Sequence, residues 1–470
     1  MRAEGILYRH GREFKADDIV KIRRLSVSCM GPKLVLPDQI IRQGCLRTNS
    51  HGFLQNQDVF EDSVLKTLSC LRVLDLTATS IENIPDCIGD LLHLRYLDFD
   101  GTNIREIPTS IGNLVNLRSL NISKCKFLER LPVSISKLHN LRWLDMTFCP
   151  LLTYVPKGIG KLENFYCLEG FMVGQNDSAN EEGCDLEELK NLSELRVLSI
   201  YRLERAERGA SALANKPFLN DLMLGWMRPG GTAEGEEQIS KAERICNEMA
   251  QPLSTLVYIH FYEYPGRQFP SWMATSSLAE SFPDLTYLGL LGLPCCTELP
   301  PLGTLPQLKY LRIDRARAMT AIGSQFLGSR GSAFPKLERL IFIDMPQWEE
   351  WTFNGALLAV KLFPSLRKCL IVKCPKLRAL PDDLHRATNL HELYLRQAYG
   401  LSEINNLPLA YKLEVTNGRG LKKISNIPLL RYLEVGNCPN LECVENLDKL
   451  QHLVLICSEE TEQLPQWFQT

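Results

Sequence analysis

"LRYLDFDGTNIREIPTSIGNL" (residues 94–114) decides how this chain folds. Leu94, Leu97 and Phe99 fall within six positions. In an extended segment successive side chains point to opposite faces, so Leu97 and Phe99 turn one way while Tyr96, Asp98 and Asp100 turn the other. The stretch then passes a small residue, Thr102, runs through Ile104 and Ile107-Pro108, and closes on Ile111 and Leu114. Three residues later the same phrase opens again as "LRSLNISKC", 23 residues after its predecessor.

Aligned on the first apolar position, the phrase begins at Leu71, Leu94, Leu117, Leu141, Phe165, Leu195, Leu219, Leu256, Leu285, Leu308, Leu337, Leu366, Leu390, Ala410, Leu430 and Leu450, with degraded starts at Ile22 and Leu46. The first steps are 23 or 24 residues, the longest is 37 and the last three are 20. That is the period and spelling of a leucine-rich repeat. One repeat cannot bury both sides of its wedge, so stability comes from stacking, each interior aliphatic contributing about 1.5–3 kcal/mol when buried. The predicted fold is an α/β solenoid, a horseshoe with parallel strands on its concave face and an irregular or short-helical convex side. At the ninth position Thr102, Cys125 and Cys149 are small enough to turn inward, where a hydroxyl or thiol can serve backbone groups that the turn exposes. The Ile-Pro step closes the convex side, because proline fixes φ and donates no hydrogen bond.

Four stretches follow from the rhythm: residues 1–60, a junction with degraded first repeats; 61–170, regular repeats; 171–252, irregular repeats with an acidic and a glycine-rich, charged insertion; and 253–470, the C-terminal repeats. The insertions are "VGQNDSANEEGCDLEE" (173–188) and "WMRPGGTAEGEEQISKAER" (226–244). Both read as excursions from the solenoid, the second as a loop followed by a short helix toward Met249.

Composition narrows the function. Apolar residues make up 45% of the chain and charged residues 23%, with a net charge of −2, which gives no electrostatic reason to expect nucleic acid. The first residues hold no apolar core of about 7–15 residues, so no export signal is read there. No apolar run approaches about 18 residues, so no membrane span is expected. A cytoplasmic protein is the expectation. The sixteen cysteines include no Cys-x-x-Cys pair; Cys125, Cys149, Cys374 and Cys438 occupy one repeat column, so neither a metal nor a disulfide framework is expected. No phosphate-binding loop, H-E-x-x-H or G-x-S-x-G occurs. The eight histidines are scattered, and Asp75, Asp98 and Asp145 recur at a fixed column, which marks architecture rather than an acid–base pair. The chain is therefore expected to be neither an enzyme nor a cofactor carrier.

What remains is the outward side of the strands, the third, fifth and seventh positions of each phrase. "LVYIHFY" (256–262) sets Tyr258, His260 and Tyr262 there, and neighbouring turns add Tyr287, Tyr310, Arg312 and Asp314. Later turns add Tyr394, Arg396, Tyr432 and Glu434; earlier ones add Tyr96, Trp143 and Tyr201. Tyr, Trp and Arg are enriched at protein–protein hot spots, so these fourteen are the candidate protein-binding residues, although strand surfaces also favour aromatics for packing alone. Cover by the inserted loops would make the patch structural. Arg72, Arg95, Arg118, Arg142 and Arg196 recur at the second position, where ladders with the fifth-position aspartates would offset like-charge repulsion.

Several longer phrases carry a resemblance. "CLRVLDLTATSIENIPDCIGDLLHLRYLDFDGT" (70–102), "FPSWM" (269–273), "LPPLGTLPQLKYLRI" (299–313), "MPQWEEW" (345–351) and "FPSLRKCLIVKCPKLRALP" (363–381) resemble the repeat region of plant nucleotide-binding leucine-rich-repeat (NLR) disease resistance proteins of the coiled-coil type. The resemblance implies a module that senses a pathogen effector, or a host guard target modified by one. It also implies contact with the nucleotide-binding module of an NLR, in cis or in trans, which the repeats help to hold inactive. That module has no counterpart in these residues, so nucleotide binding is not carried over. Two other uses of such repeats stay open: a substrate adaptor of a ubiquitin ligase, and a secreted ectodomain, permitted by sequons at Asn121, Asn176 and Asn191.

Overall fold

A computed structural model of the chain describes residues 69–174, 183–209, 212–227, 235–249, 254–274, 278–328, 332–353 and 361–456, together with Leu65, Ile6–Tyr8, Arg24–Val27, Thr48–Ser50 and Gln466–Gln469. The starts at Ile22 and Leu46, Asn176, much of the acidic insertion and the glycine-rich residues 228–234 lie outside the described residues. The chain divides into two compact units, Met1–Leu219 and Asn220–Thr470.

In the first unit, Val73–Asp75, Tyr96–Asp98, Ser119–Asn121, Trp143–Asp145, Cys167–Met172 and Val197–Tyr201 pair as parallel strands. Equivalent positions sit side by side, Tyr96 opposite Ser119 and Ser119 opposite Trp143. All seven apolar positions of the phrase at 94–114 are buried: Leu94, Leu97, Phe99, Ile104, Ile107, Ile111 and Leu114. Pro85, Pro108 and Pro132 stand extended before the short 3₁₀ turns Asp86–Asp90, Thr109–Asn113 and Val133–Lys137. These turns form the short-helical side expected from the Ile-Pro steps. At the ninth position Thr102 Oγ1 donates to Phe99 O at 2.8 Å, and the Cys149 thiol donates to Ile122 O at 3.0 Å.

The eighth position is left-handed in repeat after repeat of both units. Lys124, Phe148, Arg202, Glu263, Arg315, Lys373, Gln397, Asn417 and Asn437 all have φ between 50° and 59°. All nine carry a Cβ and seven are neither Gly nor Asn, which makes the conformation costly for an isolated residue. The turn is imposed by the stack, since Lys124 N donates to Thr147 O and Arg315 N to Ile343 O of the following coil.

The fifth-position carboxylates are architectural. Asp145 Oδ1 accepts from Thr147 N at 2.9 Å and Thr147 Oγ1 at 2.8 Å, and Asp75 repeats the pattern on Thr77. Asp98, expected to point out, is buried and accepts from the Tyr96 hydroxyl, Asp100 N and Asn121 Nδ2. The Arg–Asp ladders do not form: the second-position arginines are exposed, and among the described residues none of them is in an ion pair. Local hydrogen bonds take up one oxygen each of Asp75 and Asp145 and both oxygens of Asp98.

In the second unit the parallel strands are Asp221–Gly225, Tyr258–Tyr262, Tyr287–Leu291, Tyr310–Asp314, Arg339–Ile343, Lys368–Val372, Glu392–Arg396, Lys412–Thr416, Tyr432–Gly436 and His452–Ile456. The insertion carries the expected helix, Glu236–Met249, which buries Ile239, Ala242, Ile245, Cys246 and Met249. It docks on the segment that follows strand Tyr258–Tyr262. Glu243 accepts from Arg267 N at 2.8 Å, Asn247 from Ser271 N at 2.7 Å, and Trp272 Nε1 donates to Cys246 O at 3.0 Å.

The last repeats lack room for a 3₁₀ turn. Their 20-residue period instead supports a second, narrow parallel sheet of Glu403–Asn405, Lys423–Ser425 and Cys443–Glu445. Each of these strands is followed directly by a left-handed asparagine, Asn406, Asn426 and Asn446. Asn426 Nδ2 donates to Asn406 Oδ1 at 3.4 Å and Asn446 Nδ2 to Asn426 Oδ1 at 2.9 Å. Among the described residues no helix is long and apolar enough to cross a membrane, and no His, Cys, Asp or Glu group could hold a metal ion.

Candidate functional site

Alternation sets the site. In Tyr258–Tyr262, Ile259 and Phe261 enter the core, leaving Tyr258, His260 and Tyr262 outside. Register then brings Tyr258 opposite Tyr287 and Tyr287 opposite Tyr310. Their rings form a column: Tyr287 and Tyr310 stack at 4.8 Å and 11°, and Tyr258 leans on Tyr287 at 6.2 Å. Such pairs contribute about 0.5–1.5 kcal/mol beyond burial. Tyr258 and Tyr262 remain 43% and 36% exposed, so the docked helix does not cover them.

Gly289 makes the column possible. It lies between His260 and Arg312 in register, and the missing side chain lets His260 tilt onto Tyr287, ring centres 4.7 Å apart. A Cβ here would stand 2.9 Å from His260 Nδ1 and 3.2 Å from Tyr287 Cε1. Gly289→Ala is therefore expected to push His260 off the ring, cost about 1–3 kcal/mol and reduce the near-ultraviolet dichroism of the tyrosines.

Burial lowers the pKa of His260 and raises that of the Tyr287 phenol. For His260 the unfolded chain holds the proton more readily than the folded one. Its stabilising contribution is thus complete above the ordinary value of 6.5 and is lost as pH falls through the lower folded value. A His260 proton titration followed by NMR should have its midpoint below 6.5, and a midpoint at or above 6.5 contradicts the packing described.

Arg312 and Asp314 do not act as free contacts. Arg312 Nη2 donates to Asp314 Oδ2 at 2.8 Å, and Asp314 is only 4% exposed. Arg315 lies 3.6 Å from the same oxygen and 2.8 Å from Glu263 Oε1, with its guanidinium 5.8 Å from the Tyr262 ring centre. These groups brace the column rather than offering charge outward.

Further along the unit stands a second set. Tyr394 is buried beneath the ammonium groups of Lys368, at 4.1 Å, and Lys412, at 5.4 Å. Its hydroxyl donates to Glu392, which also accepts from Tyr411 and pairs with Lys368. Burial opposes ionisation of Glu392, but these hydrogen bonds outweigh it and hold the carboxyl below its usual range. Arg396 pairs with Glu414, and Tyr432 donates to Glu434.

The structure therefore brings Tyr258, His260, Tyr262, Tyr287, Tyr310, Arg312 and Asp314 into one group. It sets Tyr394, Arg396, Tyr432 and Glu434 in another on the same face. Tyr96, Trp143 and Tyr201 belong to the first unit and are half-buried there. Sequence inspection passed over Gly289, Glu263, Arg315, Arg339, Lys368 and Lys412. Arg339, Lys368 and Lys412 occupy the same third-position column as the tyrosines, and following that column irrespective of residue type finds them.

Over residues 53–372 the chain matches the family described as leucine-rich repeat region. It is 36% identical to "Putative disease resistance protein At3g14460" of Arabidopsis thaliana over 235 residues, which are 47% of this chain and 16% of that protein. It is 36% identical to "Disease resistance protein RGA2" of Solanum bulbocastanum over 363 residues, 75% of this chain and 36% of that protein. The chain thus spans well under half the length of these relatives. Among solved structures, one described as a crystal structure of a TDR receptor aligns with a TM-score of 0.50 and 17% identity, covering 94% of this chain and 82% of that one. That likeness concerns the fold alone.

Proposed function

The chain belongs to the leucine-rich-repeat region family, in the form found in plant NLR disease resistance proteins, and on that premise we propose that it is the recognition part of an intracellular immune receptor. Its target is a pathogen effector or a host protein that an effector has modified. The same repeats restrain a nucleotide-binding module, of the coiled-coil receptor type, until the target arrives. The repeats use no catalytic residue or cofactor of their own for this task.

The observation that carries the proposal is the tyrosine column of the second unit. Tyr258, Tyr287 and Tyr310 stand in cross-strand register on the outward face, with Tyr258 and Tyr262 exposed and Tyr287 and Tyr310 half-buried. Tyrosine gains contact area while losing few rotamers, which suits a surface that must bind without being rebuilt.

The test is co-expression with the nucleotide-binding module of a receptor of this family supplied as a separate chain. The module is expected to co-purify with this chain, and an autoactive form of it to lose its cell-death response in leaf tissue. Absence of both association and suppression overturns the proposal.

A further inference from the structure

Between the two aromatic groups the face changes character. Strands Arg339–Ile343 and Lys368–Val372 turn Leu340, Phe342, Cys369 and Ile371 into the core. On the outward side Ile341 stands opposite Leu370 and Ile343 opposite Val372. Ile343, Leu370 and Val372 thus form a half-buried aliphatic block on the outward side of the sheet, floored by Ile341, which is only 8% exposed. Arg312 adjoins it on one flank and Tyr394 on the other, through the pairs Arg312–Ile341 and Leu370–Tyr394.

The charges beside this block are unbalanced. Arg339, opposite Tyr310, continues the tyrosine column as an exposed cation. Lys309 and Arg367 are exposed at the second position of the neighbouring repeats. Among the described residues none of these three has an ionic partner. The carboxylates nearby are mostly committed, Asp314 to Arg312 and Arg315, and Glu392 to Lys368 and two tyrosines. Among the described residues, Glu338 is the carboxylate that lies between Lys309 and Arg367 in the second-position column.

We propose that this block and its cationic edge bind an acidic, aliphatic-rich segment of a partner protein. Its carboxylates meet Arg339, Lys309 and Arg367, and its apolar side chains cover the half-buried Ile343, Leu370 and Val372. The proposal deepens the recognition role and rests on it. Arginine suits the central place because its fork pairs with a carboxylate in two parallel hydrogen bonds. Single-stranded nucleic acid fits less well. The tyrosines stack on one another, so their faces are occupied, and the cations gather at one edge instead of tracking a backbone.

The probe is a display library of random 12-residue peptides panned on the full chain. Peptides rich in Asp, Glu and aliphatic residues are expected to be enriched, with affinity falling as salt is raised. On Arg339→Glu the best peptide should weaken at least tenfold, and replacing its key acidic residue by Lys should restore binding to that variant. Leu370→Asp should weaken it similarly, whereas Arg431→Glu, an exposed cation several strands away, should leave it unchanged.

No enriched peptide, enrichment of basic peptides, or affinity indifferent to Arg339→Glu overturns the proposal. So does a 12-nucleotide oligouridine that displaces the peptide and itself depends on Arg339. Failure of the underlying recognition role reads differently. In that case the wild-type chain captures neither peptide nor nucleotide-binding module, whereas failure of this surface alone leaves capture intact and insensitive to Arg339.

Discussion

Replacing Trp348 by Ala is expected to destabilise the second unit by about 3–5 kcal/mol, the range for truncating a fully buried large aromatic. Its indole is inaccessible to solvent, 4.7 Å from the Phe342 ring and 5.5 Å from that of Trp351. Nε1 donates to Glu350 O at 2.9 Å. The loss combines a cavity with an abandoned carbonyl. A comparison within the pair sharpens the test, because Trp351 is equally buried but its Nε1 has no acceptor among the described residues. Trp351→Phe removes an unsatisfied donor and should cost less than Trp348→Phe, which breaks a real hydrogen bond. Denaturant midpoints read by far-ultraviolet dichroism check both. The opposite order of the two Phe variants would show that packing of the second indole ring outweighs the hydrogen bond.

Lys216 should give the second large effect, and in the first unit. Its side chain is buried, and Nζ donates to Leu189 O at 2.7 Å, Ala214 O at 3.4 Å and Lys190 O at 3.5 Å. The ammonium ties the end of the 3₁₀ turn Leu186–Asn191 to the start of the next repeat. Lys216→Met keeps the hydrocarbon and removes these bonds, at an expected cost of about 1–3 kcal/mol at pH 7; Lys216→Ala adds a cavity and should cost more.

Burial pulls the ammonium down to about 8 from its ordinary 10.5. Between those values the unfolded chain keeps a proton that the folded chain has released, so the stability contributed by Lys216 rises with pH across the window and falls away as pH drops through about 8. The difference between wild type and Lys216→Met, which cancels the titration of other groups, should widen from pH 8 to pH 10.5. A flat or narrowing difference would mean that the three carbonyls hold the proton more strongly than burial expels it.

Much of the candidate site could be read before any coordinates. Tyr258, His260 and Tyr262 follow from alternation, and their neighbours Tyr287 and Tyr310 from repeat alignment, because parallel pairing joins equivalent positions. Availability could not be read. Asp314 and Tyr394 share the outward columns, but one is held by two arginines and the other lies beneath two ammonium groups. Apart from Arg312 on the same strand, the partners come from other coils or from the turn after the strand, where residues such as Arg315 adopt a left-handed backbone that their type does not advertise.

The sequence by itself determined the stack of parallel strands, the core column by column, and the division of each strand into an inward and an outward side. One short apolar pattern sufficed, since every repeat meets neighbours built to the same pattern. Tertiary structure alone decided which outward groups are spent and which stay free, that His260 lies over Gly289, that the inserted helix docks behind its strand, and that the 20-residue repeats carry a second sheet. Those outcomes depend on pairings between coils whose lengths differ, and side-chain satisfaction is a property of such pairs, not of any one repeat.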